Sequence, residues 1–107
     1  MAALLQVNEK STMIVTVSFF DDDDVAVIPT AATYRIDTAT GSVIKASGAI
    51  GSLATSVDIE VTSAQNAIVT AGTALEEHVL TVEFDYGASR HGTDEYRWLV
   101  KNLQGVT

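Results

Sequence analysis

Apolar and polar residues alternate with a period of two in segment after segment, and this restricts the chain to a fold built from strands. Only extended backbone sends successive side chains to opposite faces. In residues 12–20, Met13, Val15, Val17 and Phe19 share one face, while Thr12, Ile14, Thr16 and Ser18 take the other. Ile14 and the flanking Phe20 disturb that pattern. Ala32, Tyr34 and Ile36 alternate with Thr33, Arg35 and Asp37 up to the turn-forming run Thr38-Ala39-Thr40-Gly41, after which residues 42–46 can run back as a hairpin partner. Residues 56–62 are the cleanest case, with Val57, Ile59 and Val61 against Ser56, Asp58, Glu60 and Thr62.

The last two strands are read from Leu80, Val82, Phe84 and Tyr86 and from Tyr96, Trp98 and Val100, joined by the polar connector 87–94. With a strand around residues 4–8 this makes about seven short strands, spaced as in a two-sheet sandwich. Strands that each bury one face need a second sheet to cover them, so the expectation is all-β: an immunoglobulin-like, two-sheet antiparallel β-sandwich, or a small barrel. Alternation lapses between Thr62 and Leu75. There Ser63 offers an N-cap, and the reading is one short helical turn near residues 63–69.

A length of 107 residues fits one domain, 1–107, with residues 1–10 as an N-terminal arm. The chain is 47% hydrophobic, enough for a packed core, and its lack of cysteine excludes a disulfide framework, a thiolate metal site and a cysteine nucleophile. Fourteen acidic against six basic residues give a formal charge of −8, which repels phosphate backbones and anionic bilayers unless a basic patch intervenes. Lys10, Arg35, Lys45, Arg90, Arg97 and Lys101 are scattered, so neither a nucleic-acid nor a membrane partner is expected. The apolar N-terminal run has no basic flank and is too short for a secretory signal.

Four consecutive aspartates, residues 21–24, could offer oxygen ligands to Ca²⁺, but their spacing matches no calcium loop, and the expectation is a solvated loop without metal. The two histidines, His78 and His91, read as surface residues. Glu76 and His78 would share one face of a strand. No Gly-x-Ser-x-Gly elbow and no phosphate loop ahead of a helix occurs, Gly48-Ala49-Ile50-Gly51 being followed by no amphipathic helix. No catalytic or cofactor-binding residue is assigned, no cofactor is expected, and the chain is read as non-enzymatic.

Several stretches together resemble a known family. They are Thr33-Tyr34-Arg35-Ile36-Asp37, the strand from Ser56 to Val61 followed by Asn66-Ala67-Ile68, Leu80-Thr81-Val82-Glu83-Phe84-Asp85-Tyr86-Gly87, and the run from Asp94 to Leu103. In this they are similar to the small immunoglobulin-like β-sandwich structural proteins of tailed bacteriophage virions. The resemblance runs from about Thr12 to the C-terminus and lies in strand patterns, with no catalytic signature. It implies a capsid decoration (cement) protein or a head–tail or tail accessory subunit, made in the host cytoplasm and located in the virion. Its partners would be other virion proteins, such as the major capsid, connector or tail protein, together with further copies of itself.

Apolar residues outside the alternating core then become candidates for the interface: Leu4, Leu5 and Val7 in the N-terminal arm, and Ile14, Phe20 and Leu99 on outward faces. The alternative is a freestanding module that binds a host-surface carbohydrate or protein. A small hydrolase ranks last, because no nucleophile, base and orienter come together in the sequence.

Overall fold

A computed structural model describes residues 5–70 and 72–103. The described residues form seven strands: β1 (Leu5–Asn8), β2 (Met13–Ser18), β3 (Ala31–Thr38), β4 (Val43–Ala49), β5 (Ser56–Val61), β6 (Leu75–Tyr86) and β7 (Arg90–Lys101). They make two sheets, one of five strands in the order β1-β7-β6-β3-β4 and one of two strands, β2-β5. The all-β two-sheet sandwich expected from the alternation is the fold observed.

The β-branched residues of β2 and β5 explain the smaller sheet. Val15 lies opposite Ile59 and Val17 opposite Val57, while Thr16 Oγ1 donates to Asp58 Oδ1 at 2.7 Å on the wet side. Val15, Val17, Phe19, Ile59 and Val61 pack against Ile36, Leu80, Val82, Phe84, Tyr86, Trp98 and Val100 of the larger sheet. Full burial of such a side chain contributes roughly 1.5–3 kcal/mol, so this layer supplies most of the drive to fold. Tyr34, Val57 and Tyr96, also expected inside, are half-buried at its margin.

Four details differ from the sequence reading. The pairing is not wholly antiparallel: β1 runs parallel to β7, Leu5 beside Trp98 and Val7 beside Val100. Residues 5–8 form the strand expected around residues 4–8 and belong to the sheet, so of the arm read over residues 1–10 only residues 1–4, which lie outside the described residues, precede it. The connector between β6 and β7 is only residues 87–89, because both strands run for 12 residues and Tyr86 pairs with Arg90. Gly87 takes φ +60° there, a conformation that a side chain would resist.

No helix occurs among the described residues. After β5 the chain makes hydrogen-bonded turns, and the cap is Thr62, not Ser63. Thr62 Oγ1 accepts from Gln65 N at 3.3 Å and Gln65 Oε1 accepts from Thr62 N at 3.0 Å, a reciprocal capping pair that stops after about one turn. Finally, the partner of β3 is longer than residues 42–46, and its register with β3 shifts on both sides of Ile36.

Candidate functional site

One end of the core is polar. The period-two phase of β6 that puts Leu80 and Val82 inside puts Glu76 and His78 inside as well. His78 is therefore fully buried, a correction to its reading as a surface residue. Its Nε2 and Glu76 Oε1 are 2.7 Å apart, and the Glu76 carboxylate also accepts from Val69 N at 2.8 Å and Thr70 N at 2.9 Å. Burial alone would push the Glu76 carboxyl up, but the Val69 and Thr70 amides and the His78 ring outweigh it and hold it below the ordinary 4.5.

Beside this pair, Trp98 Nε1 donates to Asn66 Oδ1 at 2.9 Å and Asn66 Nδ2 donates to the Ser11 carbonyl at 2.7 Å. The His78 and Trp98 rings meet edge to face with centroids 6.0 Å apart. These bonds fasten residues 62–70 and the β1–β2 turn onto the large sheet. His78 is fully buried and Glu76 nearly so, and their hydrogen bonds tie β6 to the segment that carries Val69 and Thr70.

His91 has different surroundings. It is exposed on the outer face of the large sheet, its Nδ1 2.7 Å from Asp85 Oδ1 and its Nε2 3.6 Å from Glu83 Oε1. The Asp85 hydrogen bond and the two negative charges raise its pKa above the ordinary 6.5. On the same face Arg35 grips Asp37 through two hydrogen bonds and Arg97 binds both Glu77 and Glu95, so the charges there are largely matched within the sheet.

The aspartate run forms the tip of a small hairpin. Asp21 N donates to Val25 O at 2.9 Å, Phe20 bridges Ala26, and Val27 N donates to Phe19 O at 3.0 Å. The fold brings one carboxylate oxygen each of Asp21, Asp22 and Asp23 within 4.8 Å of one another, a convergence that adjacent residues on an extended strand could not reach. Asp21 Oδ1 is already an acceptor for the amides of Asp23 and Val25, and Asp22 stands 3.4 Å from both Tyr86 Oη and Arg90 Nη1.

The residues named as interface candidates separate. Leu5, Ile14 and Phe20 are exposed, by 61%, 55% and 50%. Val7 is half-buried against the core and Leu99 half-buried between Gln6 and Glu77, so neither stands free; Leu4 lies outside the described residues. Sequence reasoning missed Val25, Ile28 and Val43, which are 58%, 60% and 58% exposed. The signal for the first two was the apolar run Val25-Ala26-Val27-Ile28 directly after four aspartates, a segment outside every strand read from the alternation. No protein-family model matches the chain, and no curated protein or solved structure matches it.

Proposed function

We propose that this chain is a non-enzymatic structural subunit of a tailed-bacteriophage particle, docked in many copies as a capsid decoration protein or a head–tail or tail accessory subunit. The observation that carries the reading is that a filled core coexists with large apolar side chains held out in water, on β1, β2, β4 and the hairpin between β2 and β3. Unpaired edges on both sheets add backbone donors and acceptors for neighbouring subunits. Contacts of this kind, each weak, hold firmly when a subunit meets several neighbours at once.

The strand order supports the resemblance behind this reading. An immunoglobulin-like sandwich would pair its strands G-F-C-C′ in one sheet and B-E in the other, and the orders β7-β6-β3-β4 and β2-β5 are in keeping with that. It departs from antibody domains in placing its tryptophan on β7 and in having no cysteine pair. Mass spectrometry of purified particles tests the proposal directly. The chain should be present at a copy number set by particle symmetry, and its absence from washed particles would refute the role.

A further inference from the structure

The exposed apolar groups of the β2–β3 hairpin form a patch with a definite phase. Phe19 and Val27 face the core, so Phe20, its cross-strand partner Ala26, and Ile28 two residues on all face outward. Diagonal neighbours on such a ribbon lie about 7–8 Å apart, close enough for a phenyl ring and an isoleucine to make one surface. Counting back from Phe20 in steps of two gives Ser18, Thr16 and Ile14, so the patch continues the outer face of β2 and β5.

The charge around the patch has one sign. Asp22, Asp23 and Asp24 stand exposed at the hairpin tip, and Asp58 and Glu60 stand exposed on β5. Neither β2, β5 nor residues 19–30 contain a lysine or arginine. Among the described residues Arg90 is the one cation that reaches this rim, at 3.4 Å from Asp22. The outer face of the large sheet carries its own arginines as partners; this face does not.

We infer that Phe20, Ala26 and Ile28 form a docking surface for a heterologous protein site, an apolar pocket rimmed by lysine or arginine. A second copy of this chain would set one acidic rim against another, and an anionic membrane would be repelled in the same way. The identification of the pocket with a surface of the particle rests on the proposed virion role; the chemistry of the patch does not.

The isotopically labelled full chain can be titrated with a short amphipathic Leu–Lys peptide and with its Leu–Glu counterpart, following amide shifts by NMR. The Leu–Lys peptide should bind at least about tenfold more tightly at low salt, with shifts centred on residues 18–28. F20S/I28S should weaken binding by about tenfold, and D22N/D23N/D24N should flatten its salt dependence. Shifts centred elsewhere, equal binding of the Leu–Glu peptide, or sedimentation showing a dimer that F20S/I28S abolishes would each overturn the inference. The particle assay separates the two ideas: a chain missing from particles refutes the virion role without touching the titration, and misplaced shifts refute the patch without touching the particle assay.

Discussion

The polar end of the core and the β2–β3 hairpin invert each other. Around His78 polar groups are buried and nearly every one has a partner, whereas around Phe20 apolar groups are exposed and covered by none of the described residues. A buried polar group costs stability unless its hydrogen bonds are made, so the bonds of the first region hold the fold together, His78 Nδ1 being the buried nitrogen left without a partner among the described residues. An exposed phenylalanine costs the fold little and gains nothing from it. The contrast separates residues that hold the sandwich together from residues free to serve a partner.

Trp98→Ala should do the most to break the polar end. It removes the largest fully buried side chain and leaves Asn66 Oδ1 without its donor, for a loss of about 3–5 kcal/mol in chemical denaturation. A denaturation midpoint like that of the unaltered protein would mean that the indole is not in the core.

Glu76→Gln should come next. The amide can still accept from one or two of Val69, Thr70 and His78 but loses the charge that strengthens those bonds, for roughly 1–3 kcal/mol. The same carboxylate gives stability a pH dependence of known sign. Because its folded pKa is depressed, its contribution is present above the ordinary 4.5 and lost as pH falls through the lower folded value. Melting temperature against pH should therefore fall more steeply on the acid side for the unaltered protein than for Glu76→Gln, and parallel curves would contradict this assignment.

Phe20→Ser and Ile28→Ser should sharpen the comparison by their small effects. Each should leave stability within about 0.5 kcal/mol in the same denaturation measurement, since Phe20 is 50% and Ile28 60% exposed. A loss comparable to that of Trp98→Ala would place them in the fold and not on a docking face.

Alternation alone determined the strands that bury one face. Val15, Val17, Ile36, Ile59, Val61, Leu80, Val82, Phe84, Trp98 and Val100 are inside as their phase requires, because a period-two pattern admits one exposed and one hidden side. Local sequence could not decide which polar residues share that hidden side. Glu76 and His78 continue the phase of Leu80, yet their burial depends on residues 62–70, which give Glu76 the Val69 and Thr70 amides and are themselves held by the bonds of Asn66 to Ser11 and Trp98, far away in the chain. The hairpin shows the converse. Phe20 is legible as outward from its phase, but Ile28 looks like a core residue by type, and its place outside follows from the cross-strand pairing of Phe20 with Ala26, a tertiary fact that turns one face of the ribbon toward Phe19's core and the other toward water. Burial depends on what covers a face, and that cover comes from residues far away in sequence.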